Sequence, residues 1–136
     1  MRDFQRGLVY QSEKAICQIL EPAILSQDEC RDLVSEAIWS EGFLSLRVRV
    51  IFTNFQSGKA MKRLGNYIIK LPPFACRKYY VLHEVAHILQ FQNADWRDRA
   101  PHGPEWRKIY LKLLHRFTPE FAEGLEIAFR DCNIIF

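Results

Sequence analysis

His83-Glu84-Val85-Ala86-His87 is the segment of this chain best equipped for chemistry. On a helix, residues four apart stand one turn above each other on the same face, so both imidazoles can reach a single ion. Two ligands do not complete a site: catalytic zinc usually takes three protein groups and leaves the fourth tetrahedral position to water. His102 is the expected third ligand, fifteen residues beyond His87. It lies across the polar loop Asp95-Trp96-Arg97-Asp98-Arg99 and just ahead of a helix start at Gly103-Pro104-Glu105,. Glu84 follows the first ligand without being one. Zinc lowers the pKa of water it holds from about 15.7 to near 7, and a carboxylate alongside can take the remaining proton during attack on a carbonyl. Glu84 is therefore the expected general base, returning that proton to the leaving amine. Zinc is the expected ion, although manganese, iron and nickel also accept imidazole. Glu105 is the reserve third ligand, because two histidines and a glutamate also suit zinc.

A blander account makes His83 and His87 core residues satisfied by hydrogen bonds, with Glu84 pointing outward. The context weighs against it. Tyr79, Tyr80, Val81, Leu82, Val85, Ala86, Ile88, Leu89 and Phe91 surround the motif on nearly all sides, which describes a buried helix. Two histidines and a carboxylate there are costly without partners.

An amphipathic helix is expected over about 3–20, with Phe4, Leu8, Ala15, Ile16 and Ile19 near helical spacing and Pro22 ending it,. Ser26-Gln27-Asp28-Glu29 is a capping box. Cys30, Leu33, Val34, Ala37 and Ile38 then mark the core face of a second helix that stops near Ser40,. From Leu44 to Phe52 the period changes to two, as in a half-buried strand. Gln56-Ser57-Gly58-Lys59 signals a turn, and Asn66 to Leu71 a second strand, stopped by Pro72-Pro73,. The motif helix should occupy about 75–92, another 104 to about 116, and a last one, capped by Thr118-Pro119-Glu120, should run to about 131. Asn133 to Phe136 is apolar enough to dock on the body. The expected fold class is α+β, one domain in which a small sheet packs against several helices, the motif helix among them. Asn66–Leu71 is the candidate edge strand for binding an extended substrate, because it directly precedes the motif helix.

Val81-Leu82-His83-Glu84-Val85-Ala86-His87 followed by His102-Gly103-Pro104-Glu105-Trp106 resembles the core of SprT-like zinc metallopeptidases, in which a short loop links the motif helix to a third histidine. The opening, Arg2-Asp3-x-Gln5-Arg6-x-x-Val9-Tyr10-x-x-Glu13, is similar to the start of a small family of proposed H-E-x-x-H metallohydrolases found mainly in actinobacteria and their phages. The resemblance implies a zincin-like, minimal metallopeptidase fold over residues 1–136, with His83, His87 and His102 as ligands and Glu84 as base. It also implies that Glu105 and Trp106 lie close to the site. The chain departs from bacterial SprT-type proteins in lacking a cysteine zinc ribbon. Its cysteines, Cys17, Cys30, Cys76 and Cys132, form no C-x-x-C pair, so a second structural zinc is not expected.

The remaining residues carry weaker signals. His115 sits near a helix end, where it suits the negative pole of the macrodipole. Tyr110 or Arg107 could stabilise an oxyanion. Trp39, Trp96 and Trp106 read as packing, and the cysteines as small buried groups.

At 136 residues and 49% hydrophobic content, the chain has the size of one domain with one core. Its charged start lacks the apolar centre of a signal peptide, and no run approaches a membrane helix. Scattered cysteines without an export signal suggest thiols in a reducing cytoplasm. The net charge of +3 hides an asymmetry. Between Gly42 and His83 stand Arg47, Arg49, Lys59, Lys62, Arg63, Lys70, Arg77 and Lys78 with no Asp or Glu, against eleven basic and sixteen acidic residues elsewhere.

The leading functional expectation is a zinc-dependent hydrolase acting on a protein or peptide. A narrower form cuts one repressor-like partner. The alternative is a binding module for DNA or a DNA-bound protein with a structural or vestigial metal site, motivated by the basic span and its interleaved aromatics.

Overall fold

A computed structural model describes residues 5–93 and 100–132. Within them the chain forms α1 (Arg6–Leu20), α2 (Gln27–Ser40), β1 (Val48–Phe52), β2 (Lys59–Arg63), β3 (Asn66–Leu71), α3 (Lys78–Gln90), α4 (Pro104–Phe117) and α5 (Pro119–Asp131). A single 3-10 turn, Pro73–Ala75, leads into α3. This is a small α+β domain of five helices and one three-stranded sheet among the described residues. The polar loop expected over 95–99 and the terminal residues 133–136 lie outside the described residues.

The second helix follows its sequence signals closely. The Ser26 hydroxyl accepts from the Glu29 N–H at 3.1 Å, and the Glu29 carboxylate accepts from the Ser26 N–H at 3.0 Å. Cys30, Leu33, Val34, Ala37 and Ile38 are the buried residues of that helix. α1 behaves differently. Its buried residues are Val9, Ser12, Glu13 and Ile16, while Ile19 is 75% exposed. The buried face is thus rotated from the one that Leu8, Ala15 and Ile19 mark, and it carries two polar groups.

The sheet corrects the expected topology. Its order is β1-β3-β2, with β1 parallel and β2 antiparallel to β3. Asn66–Leu71 is therefore the central strand and not an edge; the edge beside α3 is β2. That strand carries only Ala60 and Met61 between cationic residues, too little alternation to announce itself. The β2–β3 hairpin turns through Leu64 (φ 51°) and Gly65 (φ 80°), the double positive-φ geometry of a type I′ turn. Asn-Gly would have signalled it; Leu-Gly does not. β1 is also shorter than expected, beginning at Val48, and Leu44 is 76% exposed.

The core face of the sheet is read from register. Val50, Ile69 and Ala60 form one row, and Phe52 and Leu71 another. Ile69 and Leu71 are fully buried beneath α2 and α3. α3 runs through the centre of the molecule, packed by α2, α4 and β2. From Val81 to Gln90 only His87 has appreciable exposure. The cysteines are free; Cys30 and Cys76 are buried. Burial first, then its neighbour Cys76, pushes the Cys30 thiol up to about 12. No described helix is long and apolar enough to cross a membrane.

Leu64 holds a left-handed conformation with its side chain 94% exposed, which costs a non-glycine residue about 1–2 kcal/mol. Leu64→Asn should therefore stabilise the protein by about 1 kcal/mol. An unchanged or lowered thermal midpoint would show that the turn is not strained.

Candidate metal centre

His83 and His87 stand one turn apart on α3, and His102 reaches them from the turn that starts α4. Gly103 makes that turn: its N–H donates to the Ala100 carbonyl at 3.0 Å, and a Cβ there would come within 3.1 Å of the Ala100 Cβ. The Nε2 atoms of His83 and His87 lie 3.1 and 3.2 Å from Nε2 of His102. All three ligand atoms fall within 4.8 Å of one another, and the group could hold a metal ion.

Hydrogen bonding alone does not account for this convergence. His83 Nδ1 lies 2.7 Å from a Glu13 carboxylate oxygen and donates its proton there, which turns Nε2 toward the other two rings,. His102 Nε2 bears one hydrogen or one lone pair, so it can make only one of its two contacts as a hydrogen bond. A tetrahedral ion bound at 2.0–2.1 Å separates its ligand nitrogens by roughly 3.3 Å, close to both observed distances. The donor set fits such an ion. Glu105 does not belong to it; its carboxylate accepts from the Asn93 side chain, and His102 holds the third position.

Behind the three rings lies a set of positioning contacts. Glu13 is 4% exposed and accepts a second hydrogen bond from the Tyr110 hydroxyl at 2.6 Å. This is the carboxylate–histidine arrangement that fixes ring orientation and makes the ligand more basic. Burial disfavours the charged His83 ring, but Glu13 outweighs it and raises the His83 pKa. Burial and the neighbouring His83 and His102 hold the His87 pKa well below normal, so its ring is neutral and ready to ligate. The Gln90 side chain hydrogen-bonds His87 and donates to the Ala100 carbonyl at 3.2 Å, linking the second ligand to the approach of the third. Trp106, fully buried, donates to the His83 carbonyl at 3.3 Å and stacks on His87 with centroids 5.1 Å apart.

Tyr110 and Arg107, which the sequence allowed as oxyanion donors without singling them out, both hydrogen-bond within the scaffold. Tyr110 is spent on Glu13, and Arg107 donates to the His102 carbonyl at 2.7 Å and to the Gln5 side chain. His115 is a partly exposed residue paired with Glu126, remote from the centre. Of the tryptophans expected to pack, Trp106 does so, whereas Trp39 is 53% exposed; Trp96 lies outside the described residues.

Glu84 faces β2. Burial pushes its carboxyl up to about 7, opposed by the His83 charge and by a hydrogen bond from the Ala60 backbone N–H. The Gly58 N–H donates to the Tyr80 hydroxyl at 2.8 Å, so two successive outward amides of the edge are fastened to α3. Gly58 permits this approach, since a Cβ there would meet the Tyr80 ring at 2.5 Å. On the other side Tyr10 of α1, 39% exposed, stacks on His83 at 5.5 Å and meets His102 edge-on at 5.3 Å.

Four functional positions escaped the sequence reading: Glu13, Tyr10, Gln90 and Ala60. Glu13 and Tyr10 were legible only as an i,i+3 polar pair on one helix face within the opening motif. Nothing local marks Gln90 or Ala60.

Removing the carboxylate beneath His83 should weaken metal binding without dismantling the rings. Glu13→Gln should lower metal affinity about 10–100-fold, measured by competition with a coloured chelator. Wild-type affinity in that variant would reduce Glu13 to a packing residue. No protein-family model matches the chain and no curated protein matches it significantly, so the chemistry of the site rests on its own geometry.

Proposed function

We propose that this protein is a zinc-dependent hydrolase, most directly a metallopeptidase with a zincin-like arrangement of motif helix and edge strand. The observation that carries the reading is the convergence of three imidazole nitrogens beside a buried carboxyl between α3 and β2. His83, His87 and His102 would hold the ion. Zinc there would polarise a carbonyl and make water a competent nucleophile near neutral pH. Three borderline nitrogen donors suit that ion,.

The protein's own groups supply the remaining steps. Glu84, with a pKa near 7, takes a proton from the attacking water and returns it to the departing amine; both transfers are efficient when the pKa matches the working pH,. The Ala60 N–H holds the Glu84 carboxyl in place against β2. Glu13 keeps the His83 ring from rotating as charge builds in the site,. β2 supports an extended peptide through its outward carbonyls and the Lys62 N–H, the Gly58 and Ala60 amides being held by Tyr80 and Glu84, so that the scissile carbonyl is aligned by backbone contacts rather than by particular side chains,.

Favouring the alternative of a nucleic-acid-associated binding module is the cationic outer surface of the sheet, with Arg49, Lys59 and Lys70 on one face. In that case affinity for DNA should fall steeply with added salt, as the entropy gained by releasing condensed counterions shrinks.

Glu84→Gln should retain metal and lose about 10²–10⁴-fold in turnover on denatured protein substrates. Full turnover in the metal-loaded variant would remove Glu84 as the base. Cleavage of a broad panel would separate a general peptidase from one dedicated to a single partner.

A further inference from the structure

The β2 edge of the sheet is cationic along its length. β2 places Lys59, Lys62 and Arg63, all exposed, within five residues, and no Asp or Glu occurs between Gly42 and His83. Register assigns these charges to faces. Lys59 and Arg63 lie with Met61 on the outer face, and Lys62 lies with Ala60 on the face toward the helices,. Lys59 stands directly opposite Lys70, and like charges in opposed cross-strand positions repel. Lys70 leans over Phe55 at 5.8 Å and Lys62 over Tyr67 at 5.7 Å. Among the described residues, no ion pair reaches any of the three β2 cations.

The same edge offers backbone groups. Gly58 and Ala60 direct their N–H groups away from β3, toward Tyr80 and Glu84. By the alternation of an antiparallel ladder, Lys62 directs its N–H and C=O outward as well. No strand lies on that side among the described residues. At about 3.3 Å per residue, Lys62 is roughly 7 Å along the strand from the residue that touches Glu84.

We infer that β2 selects extended acidic peptides, with Lys59 and Arg63 meeting carboxylates on one face of the added strand and Lys62 those on the other. The inference rests on the proposed hydrolase reading for what the neighbouring site does to such a peptide. The Gly58 and Ala60 amides are already held by Tyr80 and Glu84, but the outward carbonyls of this edge and the Lys62 N–H still match a peptide backbone and have no counterpart in nucleic acid, which favours a peptide. Lysine on an open edge also hinders adventitious sheet growth; that task calls for neither three cations nor a pair of lysines face to face.

Binding should be measured on Glu84→Gln protein purified with its metal, by fluorescence anisotropy of short labelled peptides identical except for Glu, Gln or Lys at alternating positions. The Glu peptide should bind about tenfold more tightly than the Gln peptide, with the Lys peptide weakest. Lys62→Gln should flatten this order, and the double change Lys62→Glu and Arg63→Glu should invert it. Equal affinities, or an order indifferent to these substitutions, would overturn the inference. So would a single-stranded oligonucleotide that binds more tightly than the Glu peptide and displaces it. The two proposals fail separately. A wild-type enzyme that cuts all three peptides alike, with no charge preference in binding, keeps the hydrolase and loses the selectivity. A Glu peptide that is bound selectively yet never cut does the reverse.

Discussion

The hydrogen bond from His83 to Glu13, spanning 70 residues of sequence, is the interaction on which the rest of the site depends. A carboxylate at this depth costs several kcal/mol to desolvate, and replacing such a buried group with a well-packed apolar residue is often neutral or stabilising. Glu13 is held by two short bonds, to His83 on α3 and to Tyr110 on α4. α1 thereby meets the two helices that bracket the three-histidine cluster. Packing of the core and alignment of the ligand rings are consequently one event. The same economy appears in Trp106, which fills the core while bracing two histidines, and in Arg107, which fixes the backbone of the third.

Around that bond the protein is sharply divided in polarity. On one side stand the buried imidazoles and aromatic rings, His87 among them held neutral; on the other lies a sheet edge with no acidic residue. Glu84 occupies the boundary. Burial favours its protonated form, and the Ala60 amide favours the ionised one, so neither state is far out of reach. The role proposed for Glu84 asks for a group that changes its protonation state at modest cost.

Local signals announced some elements well. The Ser26 capping box and the spacing of Cys30, Leu33, Val34, Ala37 and Ile38 fixed α2, because both depend on contacts within one or two turns,. The motif helix was legible for the same reason. β2 was not. Short, cationic and turned through Leu64-Gly65, it owes its existence to pairing with β3 and lacks an apolar face of its own. Its omission carried a second error, since it made the central strand look like an edge. The buried face of α1 was likewise misjudged, because Ser12 and Glu13 are drawn inward by partners on α3–α5 and beyond, which spacing cannot foresee.

The amino-acid sequence by itself determined the candidate ligands and base, since H-E-x-x-H places its groups through helical geometry alone and His102 needs only a turn to come back. Tertiary structure alone decided which carboxylate orients His83, that Tyr110 and Arg107 brace the scaffold, and which strand lies open beside Glu84. Those assignments depend on the packing of segments far apart in the chain, where side chains find partners that no local periodicity encodes.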